Sequence, residues 1–309
     1  MEDTDSAHQS ATDSPATVTS SPQPGQTSSK KQKPQRPPQA QKQKPHVPKK
    51  EVRILMLHGY TQSGPLFRAK TRALEKLLAK VLAPLNLVPV LLYPTAPNRL
   101  SPRDIPGFEV RSPQSEEGDE EEDGEIDSWA WFRKDEATGS YRLLEEGMST
   151  LAEAMREGGL ARLEEGESGG NGVDGVVGFS QGGTMAAMLA SAMEEGRGDG
   201  KEEEGWVRTV REANGGRPLR FAVVYSGFWA VPAELGWLYE PKIRTPTLHF
   251  LGSLDTVVEE GRSRALVERC EDPVVVVHPG GHYVPVSKEW VMPLAGFIRK
   301  CLETGSSSS

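Results

Sequence analysis

The sequence predicts a doubly wound α/β fold, a mostly parallel sheet with helices on both faces. Short runs rich in Val, Leu and Ile alternate with longer segments whose apolar residues recur at helical spacing. The strand-like runs are apolar throughout rather than at every second position, as in strands buried on both faces. Strands that alternate with helices in this way typically form a parallel sheet through crossover connections.

The predicted elements follow one another from residue 52 onward. The strands are predicted at 52–59, 87–93, 173–179, 219–227, 246–252 and 273–281. The helices are predicted at 65–85, near 140–157, directly after the turn at 180, and over 286–302. Pro84 ends the first helix because proline lacks the N–H that a helix interior needs.

The folded domain is predicted over residues 51–303. Residues 1–50 are rich in Ser, Thr, Gln, Pro and Lys and lack periodic apolar positions, so we expect a disordered tail. Four acidic residues come early in this tail and eight basic residues follow. This pattern is compatible with a solvated arm, with a segment that binds an anionic surface, or with a weak nuclear signal. Residues 304–309 are predicted to be a disordered terminus.

Two polar insertions are predicted to interrupt the domain, near 112–127 and 194–218. The first carries nine acidic side chains, and their mutual repulsion favours a solvated loop. Carboxylates also bind hard cations, but the Asp-x-Asp-x-Asp-Gly spacing of a calcium loop is absent. The second insertion is expected to be a polar connection between a helix and a strand.

Charge and composition narrow the classes of partner. The net charge of −8 argues against nucleic acid as the main ligand of the folded region. No apolar run approaches the roughly 18–20 residues that span a bilayer, so we expect no membrane span and a cytoplasmic protein, with a nuclear location as the alternative. Cys270 and Cys301 give neither a disulfide framework nor a metal-ligand spacing, and no cofactor or metal is expected.

One short stretch, "VVGFSQGGT", points to chemistry. Apolar β-prone residues lead into Gly178-Phe179-Ser180-Gln181-Gly182, and Ala, Met and Leu with high helix propensity follow. The Gly-x-Ser-x-Gly spacing is that of a nucleophile elbow, where a strained turn between strand and helix exposes a serine Oγ. The alternative is a tight turn whose serine only caps the helix.

A nucleophilic serine needs a base and an acid that fixes the base, in the chain order serine, acid, histidine. His282 follows two glycines on a loop past the carboxyl end of the apolar run Val274–Val277, so we predict that it is the base rather than a surface histidine. Asp255 follows the strand 246–251 at the same edge, whereas Asp272 precedes a strand. Asp255 is therefore the predicted acid, with a turn or N-cap aspartate as the alternative.

The predicted oxyanion hole has two backbone N–H groups. One belongs to Gln181, the residue after the nucleophile, and the other to Tyr60 or Thr61 in the loop "LHGYTQSG" after the first strand. His58 is expected to organise this loop by hydrogen bonding, because it precedes the serine in the chain.

Several motifs together resemble one known family. The segments "LHGYTQSG", "YPTAPNRL", "WAWFR", "GFSQGG", "YSGF", "LGSLDTVV" and "HPGGHYVP" occur in an order similar to that of the eukaryotic serine hydrolases known as FSH, a branch of the α/β-hydrolases. The resemblance runs from about residue 52 to residue 302 without the two insertions. It implies an α/β-hydrolase fold and a triad of Ser180, Asp255 and His282.

The resemblance also implies a function. It points to hydrolysis of carboxylic esters or thioesters, including acyl or polyketide chains held on carrier proteins, and to Trp129, Trp131 and Phe132 as residues lining the substrate entrance. From the sequence alone, these aromatic residues are equally compatible with the core. The functional alternative is an inactive hydrolase domain that serves as a protein-interaction module.

Overall fold

The computed structural model describes residues 49–105, 107, 127–164, 172–198 and 205–304. The chain divides into two units, Met1–His46 and Val47–Ser309, and every described residue belongs to the second. The predicted tail up to residue 48, most of the acidic insertion and the terminus from residue 305 lie outside the described residues. Lys50, assigned to the tail from the sequence, begins the first strand.

The strands confirm the predicted parallel α/β sheet. In chain order they are β1 (Lys50–Leu57), β2 (Leu87–Leu92), β3 (Asn98–Arg99), β4 (Trp129–Ala130), β5 (Arg133–Lys134), β6 (Tyr141–Arg142), β7 (Gly175–Phe179), β8 (Phe221–Tyr225), β9 (Thr247–Gly252) and β10 (Val274–His278). Six of them form one sheet in the order β10-β9-β8-β7-β1-β2, and all five neighbouring pairs are parallel. The short strands β3 with β4 and β5 with β6 form two antiparallel ribbons.

The α-helices connect these strands. They are α1 (Gly64–Leu82), α2 (Leu144–Glu164), α3 (Gln181–Ala192), α4 (Gly205–Ala213), α5 (Glu260–Val267) and α6 (Lys288–Thr304). Four of them lie close to predicted positions, whereas α4 and α5 have no counterpart among the predicted helices.

Strand β1 shows why helices cover both faces of the sheet. Its side chains alternate in direction, and all of them from Val52 to Leu57 are buried. Val52, Ile54 and Met56 pack in one core with residues of α1 and α6. Leu55 and Leu57 pack in a second core with residues of α2, α3 and α4. Apart from Arg53, which pairs with Glu51, this part of the strand is therefore apolar on both faces, as a position between two helical layers requires.

The prediction of a polar connection over 194–218 is wrong for much of that segment. Its described residues include α4, which packs against α2. Trp206, Val207 and Val210 of this helix are buried in the core. Their helical spacing is easily overlooked because charged residues surround them.

Charged residues at the start of the same segment are also buried. Glu194 and Arg197 form an ion pair with almost no exposed surface. The Oε1 atom of Glu194 accepts the backbone N–H groups of Arg244 at 2.6 Å and Thr245 at 2.7 Å. These hydrogen bonds link the end of α3 to the segment that precedes β9. They also provide the partners that a buried charge needs.

No described helix combines the length and the apolar character needed to cross a bilayer. Cys270 and Cys301 are buried thiols that are not joined in a disulfide.

Candidate active site

Ser180 lies between the end of β7 and the first residue of α3, in a backbone conformation with φ 55° and ψ −119°. A non-glycine residue at positive φ is strained, and neighbouring small residues make the turn possible. A Cβ atom on Gly178 would lie 2.0 Å from the carbonyl oxygen of Gly182, and one on Gly182 would lie 2.3 Å from that of Leu57. The two glycines therefore let strand, turn and helix approach more closely than side chains would allow.

The Ser180 side chain does not cap α3. Its Oγ atom lies 3.0 Å from Nε2 of His282 instead. The helix-cap alternative for Ser180 therefore does not describe this geometry.

The other ring nitrogen of His282 lies close to Asp255. His282 lies on the loop after β10, and its Nδ1 atom is 2.8 Å from Oδ2 of Asp255 on the loop after β9. The other carboxylate oxygen, Oδ1, accepts the backbone N–H groups of Val257 and Val258, each at 2.9 Å. The structure thus brings Ser180, His282 and Asp255 together at the carboxyl edge of the sheet.

The surroundings of Asp255 favour its ionised form. Burial by itself would raise the pKa of this carboxyl group, but hydrogen bonds from His282, from the Val258 N–H and from Ser226 hold it below its usual value. A carboxylate accepts a hydrogen bond from the Nδ1–H of His282, which leaves Nε2 able to accept the Ser180 hydroxyl proton.

Two backbone N–H groups are candidates for the predicted oxyanion hole. Gln181 is the first residue of α3, where a helix offers its N–H no acceptor. In the loop after β1, Thr61 donates its N–H to Trp129 O at 3.1 Å, whereas within the described chain Tyr60 N–H has no acceptor. A Cβ atom on Gly59 would lie 3.4 Å from Cβ of Ser180, so this loop adjoins the serine. Of the two residues left open by the sequence, the geometry favours Tyr60.

Two of the three aromatic residues expected at the substrate entrance are core residues. Trp131 has no exposed surface and Phe132 is 3% exposed, and both belong to the core that includes residues of α2 and α3. The prediction of substrate contact is therefore wrong for Trp131 and Phe132. Trp129 is half-buried, and its contact with substrate stays a prediction.

Sequence reasoning missed two side chains at the site. The carboxamide of Gln181 accepts the Trp131 N–H at 2.8 Å and donates to Phe132 O at 2.7 Å. Ser226, buried after β8 with φ 47°, interacts with Asp255. The sequence offers only one weak signal for each residue. Gln181 directly follows the predicted nucleophile, and Ser226 lies at the carboxyl end of a predicted strand.

The remaining described histidines are structural. Nε2 of His58 accepts the Ala96 N–H at 3.0 Å, and its Nδ1 lies 2.8 Å from Gly59 O, as expected for a residue that organises the loop. His278 is buried between the rings of Tyr283 and Trp290. Within the described residues, no three His, Cys, Asp or Glu side chains gather into a metal site.

Comparisons with known proteins identify the family of the chain. The family described as Serine hydrolase (FSH1) matches residues 47–294. A Saccharomyces cerevisiae protein named Family of serine hydrolases 2 is 31% identical over 250 residues, which cover 80% of this chain and 97% of that protein. A Danio rerio protein named Esterase OVCA2 is 30% identical over 253 residues, which cover 81% of this chain and 97% of that protein.

A Schizosaccharomyces pombe protein named Dihydrofolate reductase is 32% identical over 244 residues. The match covers 76% of this chain and 44% of that protein, so this chain spans less than half the length of that relative. The family match covers most of the chain, with the nucleophile elbow inside it. The chain therefore belongs to the serine hydrolase (FSH1) family and is a hydrolytic enzyme of the α/β class.

Proposed function

We propose that this enzyme cleaves carboxylic esters or thioesters through an acyl-enzyme intermediate on Ser180. The observation that carries the proposal is the continuous path from Asp255 through His282 to Ser180, with contacts of 2.8 Å and 3.0 Å. These distances lie within the range at which a base removes a hydroxyl proton.

The first half of the reaction forms the acyl-enzyme. Ser180 Oγ attacks the carbonyl carbon while Nε2 of His282 takes the hydroxyl proton. The negative charge that develops on the carbonyl oxygen is stabilised by the N–H groups of Gln181 and Tyr60, aided by the N-terminal end of α3. The imidazolium, stabilised by the Asp255 carboxylate, then gives its proton to the departing alcohol or thiol.

The second half releases the acid. Water attacks the acyl carbon while His282 accepts a water proton, and the resulting tetrahedral intermediate collapses with return of that proton to Ser180 Oγ. The carboxylic acid leaves, and the site regains its starting protonation state.

Two features bear on the choice between this enzyme and an inactive interaction module. Ser180 keeps a strained backbone that its side chain does not use for capping, and strain of this kind persists at functional sites. Relatives bear the names of esterases and serine hydrolases. Both favour the enzyme.

A fluorophosphonate probe tests the proposal, because at low concentration it reacts only with an activated serine. We expect labelling of the wild type and none of Ser180→Ala. The matched control Ser191→Ala removes a buried hydroxyl at the C-terminal end of α3 that donates to Leu238 O, and it should keep both labelling and turnover. Wild-type turnover by a folded Ser180→Ala protein would overturn the proposal.

A substrate panel then separates the leaving groups. p-Nitrophenyl esters, coenzyme A thioesters and acyl groups attached to a carrier protein, each with graded chain lengths, are compared by kcat/KM. A preference for carrier-bound chains would support the release of acyl or polyketide chains, and equal rates on the free esters would contradict it.

A further inference from the structure

The indole of Trp131 holds the loop that follows β1. Its Nε1–H donates to His58 O at 2.9 Å, and its ring lies against the imidazole of His58 with centroids 5.0 Å apart. Trp131 has no exposed surface, so it does not reach a substrate. His58 O belongs to the peptide unit that precedes Gly59, directly before Tyr60.

Gln181 holds Trp131 from the other side. Its carboxamide bonds the backbone on both sides of the Trp131–Phe132 peptide, at 2.8 Å and 2.7 Å. These two bonds use one acceptor and one donor of the carboxamide, which fixes the orientation of the group. The residue whose backbone N–H lies beside Ser180 thus also fixes Trp131.

His58, whose carbonyl oxygen accepts the Trp131 hydrogen bond, also holds the loop through its neutral imidazole ring. The Ala96 N–H donates to Nε2, so the ring proton is on Nδ1 and is donated to Gly59 O. Burial lowers the pKa of His58 to about 4, so the ring stays uncharged at neutral pH. The neutral tautomer of His58 with its proton on Nδ1 therefore makes both hydrogen bonds that hold the loop before Tyr60.

We infer that Trp131 is a positioning residue for the oxyanion hole, which sets the Tyr60 N–H relative to the Gln181 N–H. The connection runs from the Gln181 side chain through the Trp131 backbone and indole to His58 O, all of it buried. This inference rests on the proposed function, and it assigns to Trp131 a role in the transition state instead of contact with the substrate.

The role has a distinct kinetic signature. A displaced N–H donor weakens stabilisation of the charge that forms only in the transition state, so kcat falls while KM is little changed. Removal of a whole oxyanion donor costs about 100- to 1,000-fold in kcat. Since the Thr61 N–H bond to Trp129 O also restrains the loop, we expect a loss of roughly 10- to 100-fold for the Trp131 hydrogen bond.

Trp131→Phe tests the inference, because it keeps an aromatic ring and removes the N–H donor. A second variant carries β-(3-benzothienyl)alanine at position 131, which keeps the bicyclic shape and replaces N–H by sulfur. The control is Trp206→Phe, a comparably buried tryptophan on α4. The measurements are kcat, KM and inhibition by an alkyl boronic acid, which forms a tetrahedral adduct with the serine.

We expect both position-131 variants to lower kcat and raise the boronic acid Ki by similar factors, with KM within about threefold of the wild type. Trp206→Phe should leave all three unchanged. Wild-type kcat and Ki in a folded benzothienyl variant would overturn the inference. A raised KM with unchanged kcat would also overturn it, since that is the signature of a substrate contact.

Failure of the proposed function is distinguishable from failure of this inference. If the wild type neither hydrolyses esters nor reacts with the probe, the proposed function fails. Amide hydrogen exchange over residues 58–62 then still reports on the loop. Faster exchange in the benzothienyl variant than in Trp206→Phe supports the restraint by Trp131, and equal exchange contradicts it.

Discussion

Nδ1 of His282 lies 2.8 Å from Oδ2 of Asp255, and the second oxygen of that carboxylate is held by two backbone N–H groups. The carboxylate is thus oriented by the loop after β9 independently of the imidazole. An oriented carboxylate accepts a hydrogen bond from Nδ1–H, and in the reaction proposed above it stabilises the imidazolium that forms.

Asp255→Asn should therefore lower kcat/KM by roughly two to four orders of magnitude, because an amide can present an N–H group to Nδ1 and favour the wrong tautomer. Steady-state kinetics on one activated ester provide the measurement, and substrate affinity should change little.

The matched control is Asp272→Asn. Asp272 precedes β10 and lies at the opposite edge of the sheet, so its replacement should cost little activity. If Asp272→Asn were the inactive variant and Asp255→Asn the active one, the assignment of the acid would be wrong.

Gly178→Ala should destabilise the protein or abolish activity. Its new Cβ would meet the carbonyl oxygen of Gly182 at 2.0 Å, and backbone on both sides cannot retreat without deforming the elbow. Thermal unfolding and probe labelling measure the two effects.

Gly261→Ala serves as its control. A Cβ on Gly261 in α5 meets no atom within 4 Å, so alanine fits there and should not lower the stability. An unchanged Tm and unchanged labelling for Gly178→Ala would show that the elbow tolerates a side chain.

The sheet and the elbow could be predicted because both depend on local sequence patterns. Buried parallel strands require continuous apolar runs, and a strained turn requires small residues around Ser180. The chain order of serine, acid and histidine then selected Asp255 and His282, since loops after parallel strands meet at one edge.

The aromatic stretch and the second insertion could not be resolved in this way. Whether Trp131 faces a substrate or the core depends on its contacts with Gln181 and His58, which are distant in the chain and leave no local pattern. The polar composition around Glu194 and Arg197 predicts that both are exposed. They are buried because the Glu194 carboxylate finds partners about fifty residues away in the chain. Long-range pairing decides both cases.

Trp206→Ala should destabilise the protein strongly. Trp206 is buried on α4 and its ring lies 6.2 Å from that of Trp237, so truncation would leave a large cavity. A loss of about 3–5 kcal/mol is typical for such a change. Urea unfolding checks it, with Arg208→Ala as an exposed control on the same helix. Equal stability of the two variants would contradict the packing of α4.

The pH dependence of stability should depend on His249. This residue of β9 is buried, and Nε2 has no hydrogen-bond partner among the described residues. Burial lowers the pKa of His249 from 6.5 to about 4, because the charged ring would lose its hydration. Between these two values the unfolded chain binds a proton that the folded protein does not bind. The free energy of unfolding should therefore fall as the pH decreases from about 6.5 toward 4, by about 3 kcal/mol for this group.

His249→Met isolates this contribution, because methionine has a similar volume and does not titrate. The free energy of unfolding, measured in urea between pH 4.5 and pH 7.5, should depend less steeply on pH in the variant, by up to one proton. His58, whose pKa is also lowered to about 4, accounts for part of the slope that remains. The pKa of Asp255 lies below its usual 3.8, so this group stays ionised across the range and leaves the slope unchanged. The difference between the two proteins at pH 7.5 gives the packing effect alone. Parallel curves at all pH values would show that His249 is as easily protonated in the folded protein as in the unfolded chain.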